Sequence, residues 1–171
     1  MLKKIAFFFM AILPLGVFAQ TLKFGNVNAE EIITSMPEFT KAQESLNTMQ
    51  KQYTDELKRT QEEFNKKYQE FQQAMSKDSL PANIAERRQK ELQEMAQRQD
   101  QFQQDASTQM QKAQKDLMAP IYKKLDDAIK AVGASTGVIY IFDVARTPIP
   151  YINESLSMDL TTKVKAQLGI K

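Results

Sequence analysis

Few side chains in this chain of 171 residues can do covalent or proton chemistry. It has no Cys and no His, which removes the thiolate nucleophile, the imidazole base and the usual zinc ligand sets. Carboxylates remain, in pairs such as Glu30 and Glu31. Neighbours in a helical segment point about 100° apart and do not share one substrate atom. Asp143 and Arg146, which follow a strand-like run, read as a turn salt bridge or strand cap. The sequence therefore predicts no enzyme, no cofactor and no metal. What is left is the chemistry of contact, carried by Phe, Tyr, Leu and Met at regular spacing.

That spacing defines the dominant element. Phe39, Ala42, Leu46, Met49, Tyr53, Leu57, Thr60, Phe64, Tyr68, Phe71 and Met75 follow one another in steps of three and four, with a mean of 3.6. This is the period of an amphipathic helix. Leu46, Leu57 and Tyr68 lie eleven apart, a repeat that keeps the stripe nearly straight. A second stripe runs through Ile84, Arg88, Leu92, Met95, Gln99, Phe102, Ala106, Met110, Ala113, Leu117 and Ile121. Between them, residues 77–83 form a turn-like heptapeptide, with Pro81 in the first turn of the returning helix and Ser79 or Asn83 as its cap. Folding there brings position i near 159 − i. Phe64 then faces Met95, Leu57 faces Phe102, Tyr53 faces Ala106, and Thr60 forms a polar layer with Gln99. A helix from Glu38 to Ser76 runs about 58 Å, so the pair makes a rod.

The outer faces carry acid-first i,i+4 pairs: Asp55–Arg59, Glu62–Lys66, Glu63–Lys67, Glu86–Lys90 and Glu94–Arg98. Each contributes about 0.2–0.5 kcal/mol, and they read as a solvated face. The many Gln residues of the rod solvate it without adding charge. Pro120 removes a helical hydrogen bond to the Asp116 carbonyl and predicts a kink or break at the arm base.

At the N-terminus, Lys3 and Lys4 precede an apolar run from Ile5 to Val17, and Val17-Phe18-Ala19 suits cleavage after Ala19. This predicts a secretory signal over 1–19. Thirteen apolar residues broken by Pro14 and Gly16 fall short of the ~20 that span a bilayer. Without Lys3 and Lys4 the 23 basic residues become 21, equal to the 21 acidic ones. A neutral mature chain weighs against a nucleic-acid partner, since phosphate contacts need a basic excess.

The flanks of the rod predict a small body. Residues 21–28 alternate as a strand, and Ala29–Met36 is helix-prone up to Pro37. After Pro120, Ile121, Leu125, Ile129 and Val132 restart a broader apolar stripe that ends between Gly133 and Gly137. Val138–Phe142 is apolar on both faces and reads as a buried central strand. Ile149–Ile152 reads as its edge partner because of Pro150. Ser157 then caps a closing helix over Met158–Leu168, with Leu160, Val164 and Leu168 on one face. The fold class is mostly α with a small β body: a long antiparallel helical hairpin (38–120, tip near 77–83) inserted in a small α+β body (20–37 and 121–171). Roughly 60 residues of body bury too little surface to anchor such arms alone, which predicts a homo-oligomer sharing its bodies.

Lys23-Phe24-Gly25-Asn26-Val27-Asn28, Ile32-Ile33 and Met36-Pro37-Glu38-Phe39 resemble the opening of the Skp/OmpH-type periplasmic chaperones. So do Pro120 to Lys124, Ala128-Ile129, the Gly137–Asp143 strand, and Tyr151 through Asp159-Leu160-Thr161. The resemblance implies a homotrimer, with a β-rich trimerisation body holding three coiled-coil tentacles around a cavity. That cavity would hold unfolded outer-membrane proteins in the periplasm without ATP, with membrane association only through those clients. The arm residues then proposed as seam and client rim are Tyr53, Leu57, Phe64, Tyr68, Phe71, Met75, Met95 and Phe102. Those proposed for the body and trimer core are Phe24, Val27, Ile139, Ile141, Phe142 and Ile152, with Pro120 as the hinge at the arm base. The best-known members are strongly basic whereas this chain is neutral, so no lipopolysaccharide site is carried over. The rival reading is a structural spacer or adaptor of the cell envelope.

Overall fold

The computed structural model describes residues 22–77 and 80–170; the expected leader, and Asp78 and Ser79 of the expected tip, lie outside the described residues. The elements run β1 (Phe24–Val27), α1 (Ala29–Ser35), α2 (Pro37–Ser76), α3 (Ala82–Thr136), β2 (Tyr140–Asp143), β3 (Ser157–Asp159) and α4 (Thr161–Gln167). As the periodicity predicts, a long helical hairpin is inserted in a small α+β body.

Local chemistry sets most of these boundaries. Asn28 caps α1, its side-chain oxygen accepting from the Glu31 amide at 3.0 Å. Met36 is extended, and Pro37 occupies the first turn of α2, where an amide hydrogen has no intrahelical partner anyway. At 40 and 55 residues, α2 and α3 run about 60 and 82 Å. Pro81 sits just before α3 as its cap residue, without a side-chain cap bond. The expected break at Pro120 does not occur, and α3 is continuous through it. Pro120 and Asp116 are both exposed, so water can take the carbonyl that the proline leaves unpaired. The helix also passes Gly133 and ends one turn later, where Gly137 takes the left-handed conformation at φ 67°. Thus α3 is the returning arm and, over its last four turns, a core helix of the body.

The sheet corrects the sequence reading in three places. Its order is β2-β1-β3, and both pairings are parallel. β1 is therefore central, and the run expected at the centre supplies an edge strand, β2. Ile149–Ile152 forms no strand. The third strand is Ser157–Asp159, residues read as the start of the closing helix, which begins instead at Thr161. The reason is long-range: Asn26 accepts from the Leu160 amide at 2.8 Å and donates through its side chain to the Ser157 hydroxyl at 2.9 Å. Those contacts draw residues 157–159 alongside β1.

The core lies between one face of this sheet and the helices. Val27, Ile32, Met36, Leu160 and Val164 are at most 1% exposed, and Ile121, Leu125, Ala128 and Val132 of α3 pack among them. Gly25 lets Leu160 approach the central strand closely: a β-carbon there would lie 2.7 Å from a Leu160 methyl. Asp143 ties β2 to α1, accepting from the Ala29 amide at 3.2 Å and from the Ala145 amide at 3.0 Å.

Candidate binding surfaces of the arm and the sheet

Two surfaces of this molecule leave apolar side chains in solvent. The first is the hairpin seam. Tyr53 meets Phe102 edge-on with ring centroids 5.8 Å apart, and Phe64 stacks on Tyr68 at 6.1 Å. The Gln99 amide donates to Gln61 at 2.7 Å, and Lys67 bonds to Glu91 across the arms. These partners lie within a turn of the register 159 − i, but the pairs differ in detail. Tyr53 rests on Phe102 where Ala106 was expected. The polar layer is Gln61–Gln99, because Thr60 turns its hydroxyl back to the Leu57 carbonyl at 3.0 Å.

A two-helix rod cannot enclose its seam. Leu57, Phe64, Phe71, Met95 and Phe102 are only partly buried, and Tyr68 and Met75 are 44% and 50% exposed. Each of these side chains keeps an apolar edge in solvent while its other side packs. The arm's charges mostly pair within one helix. Glu94–Arg98 forms as expected, at 3.8 Å, but Asp55 takes Lys51, Arg59 takes Glu56 and Glu62 takes Lys58. Among the described residues two pairs cross between the arms, Lys67–Glu91 and Lys124–Glu38. The Lys67 ammonium bonded to Glu91 holds that carboxyl below its ordinary range, and Glu91 in turn raises Lys67. At the arm base the Lys124 hydrogen bond, 2.5 Å long, lowers Glu38 in the same way.

The second surface is the outer face of the sheet. Of the body residues singled out in the sequence, Val27 and Ile141 point into the protomer's own core, while Phe24, Ile139 and Phe142 do not. Phe24 stacks on Tyr140 at 6.4 Å and nearly parallel, and Tyr140 meets Phe142 at 6.2 Å. Tyr140, Ile139 and Phe142 are 61%, 48% and 44% exposed. Beside them Phe24, Phe142, Ile149, Tyr151, Ile152 and Leu156 line an apolar hollow of about 360 Å³. The expected two-sided burial of 138–142 is therefore replaced by one covered face and one bare aromatic face. Tyr140, Tyr151 and Leu156 were missed as candidates; the alternation of Tyr140 with Phe142 was the signal for the first. Arg146 lies 5.0 Å over the Tyr122 ring and 3.6 Å from Asp143, holding the turn after β2.

The carboxylate pair Glu30 and Glu31 sits on the outside of α1, with Glu31 bonded to Lys165 at 2.7 Å. Among the described residues no helix is long and apolar enough to cross a membrane.

Comparison with known proteins decides the family. The family described as Outer membrane protein (OmpH-like) matches residues 23–168, which is the body and the whole hairpin. The chain belongs to the OmpH-like family. A search of curated proteins gave no match. Membership in the OmpH-like family associates the chain with periplasmic chaperones of outer-membrane proteins. The match covers both the hairpin and the aromatic sheet face.

Proposed function

We propose that this chain is an ATP-independent holdase that keeps unfolded outer-membrane proteins from aggregating in a cavity bounded by the arms of a homotrimer. The observation that carries the reading is the bare face of an all-parallel sheet. Parallel sheets are stable when both faces are covered, and here one face holds Phe24, Tyr140 and Phe142 in solvent. Other copies of the chain are the natural cover, and a shared hub would hold the arms side by side. The mechanism needs no catalysis and no cofactor. Stiff arms exclude other unfolded chains, and many weak contacts from several arms add up by multivalency. Pro120 is the place where an arm bends outward. In this reading residues 1–19 direct the chain to the periplasm and are removed after Ala19.

The length of α3, about 82 Å, also suits a spacer between envelope components. Suppression of aggregation separates the two readings. An unfolded outer-membrane protein is diluted from urea with and without the mature chain, followed by light scattering, while mass is measured by ultracentrifugation. A trimer mass with stoichiometric suppression supports the holdase; a lasting monomer, or a trimer without suppression, overturns it.

A further inference from the structure

Among the described residues, the hollows along the hairpin differ in charge. One, near the tip side of the middle, is lined by Glu63, Lys67, Arg98 and Asp105. Another includes Lys67 and Glu91, and a third, at the arm base, includes Glu38 and Lys124. Both cross-arm ion pairs thus lie in charged hollows. A fourth, of about 520 Å³, has no charged lining residue: Leu46, Leu57 and Met110 are in its floor, and Gln50, Gln103 and Gln111 are in its rim. Its remaining lining is Gln, Ala, Ser and Tyr.

Helical spacing explains why this hollow is distinct. On α2 it takes Gln43, Leu46, Gln50 and Leu57, a stripe on one edge of the seam. The charged hollows take Glu63 and Lys67, which fall on the other edge at 100° per residue. The hairpin therefore has a charged flank and a glutamine flank.

We propose that the glutamine-rimmed hollow of each arm is a binding site for an extended, uncharged segment of client polypeptide. This rests on the holdase reading and specifies where on the arm a client is held. Three features match that occupant. A Gln amide both donates and accepts, so a Gln rim satisfies the unpaired N–H and C=O groups of any extended backbone, whatever its sequence. The apolar floor receives the alternate side chains on one side of the segment, and outer-membrane strands alternate apolar and polar residues. From Gln43 to Leu57 the hollow runs about 21 Å, the length of roughly six extended residues. The lack of charge matters as well, because a charge covered without a partner costs more than an amide that finds one.

The test uses the full mature chain and an unfolded eight-stranded outer-membrane protein diluted from urea. Two triple variants place like charges on the rim, Gln50→Glu/Gln103→Glu/Gln111→Glu and the same three positions to Lys. Both keep helix-forming, exposed side chains, and circular dichroism with a mass measurement checks the fold and assembly. The control neutralises the other flank: Glu63→Gln/Arg98→Gln/Asp105→Asn. Client affinity is expected to fall at least about tenfold in both rim variants and to stay within about twofold in the control. Raising salt from 20 to 300 mM is expected to change the parent's affinity less than about twofold, because an uncharged contact is not screened. Rim variants that bind as the parent does overturn the site while leaving the holdase reading intact. A loss with Glu but a gain with Lys also overturns it, since that pattern is attraction between net charges. A parent chain that retains no client removes the holdase reading and this site together.

Discussion

Gly25 shows how much of the body depends on single contacts. It sits in the central strand with Leu160, itself fully enclosed, directly over it. A methyl group there meets a Leu160 carbon 2.7 Å away and an Ile141 carbon at 3.5 Å. That enclosed side chain has to shift to admit the methyl, so Gly25→Ala is expected to cost about 1–3 kcal/mol by overpacking. Urea unfolding of the parent and variant reads that difference directly; a change below a few tenths would mean that Leu160 moves aside freely. Asp143 works by another route, holding the first amide of α1 and the turn after β2 with one carboxyl oxygen. Its Ala variant takes the acceptor from the amide of buried Ala29 and is expected to lower stability by about 1–3 kcal/mol.

The hairpin's stability has to come from a seam that is half open. The ion pairs Lys67–Glu91 and Lys124–Glu38, which cross it, are expected to give the arm a pH dependence. Glu38 and Glu91 are held below the ordinary carboxylate range by their lysine partners. Their contribution is therefore complete above the unfolded-state pKa of about 4.3 and is lost as pH falls through the lower folded values. Lys67 is raised, so its contribution is complete below about 10.4 and disappears as pH climbs beyond that. Thermal unfolding followed at 222 nm is expected to show a plateau between these limits and a drop on each side. Glu38→Gln combined with Glu91→Gln should flatten the acid drop; an unchanged acid limb would assign it to other carboxylates. The pairs are exposed, so their effect should also shrink in high salt. Pro120 makes the opposite kind of prediction. Inside a continuous helix it forfeits a hydrogen bond, so Pro120→Ala is expected to raise the melting temperature, by about 1–3 kcal/mol of stability. If the proline is where arms bend outward, the same variant holds large clients less well.

Assembly is where the bare aromatic face is put to the test. Phe24, Tyr140 and Phe142 contribute little to the protomer's own core, so charging them leaves the fold in place. If other copies cover this face as proposed, Tyr140→Glu/Phe142→Glu is expected to leave the chain monomeric at micromolar concentration, with helicity unchanged and any suppression of aggregation lost. Sedimentation and far-ultraviolet circular dichroism check both halves of that statement. An oligomer that survives the double substitution would place its interface elsewhere. α3 makes the coupling between body and arm mechanical: Met118, Ile121, Leu125, Ala128 and Val132 are buried in the body, and the same helix continues outward to Ala82. An arm cannot swing as a rigid lever without bending this helix or disturbing the core.

How much of this was legible in the chain follows from the range of the forces involved. The hairpin was readable because a 3.6-residue stripe repeats for some ten turns and each helix is specified by its neighbours three and four residues away. The short leading helix that stops before Pro37, and the buried face of Leu160 and Val164, are local in the same sense. The sheet was not readable. Its strands are three or four residues long, and an apolar run states that a strand exists without saying which neighbours it has. Which strand is central was decided by hydrogen bonds between residues more than a hundred positions apart, such as Asn26 with Ser157 and Leu160. The difference between the arm's two flanks had the same origin. Every Gln and Glu concerned stands in the sequence, but only the antiparallel pairing of α2 with α3 gathers the uncharged ones around a single hollow. Periodicity alone determined the rod; the tertiary fold decided which aromatic residues are left bare and which polar ones meet, because those depend on contacts that no local window contains.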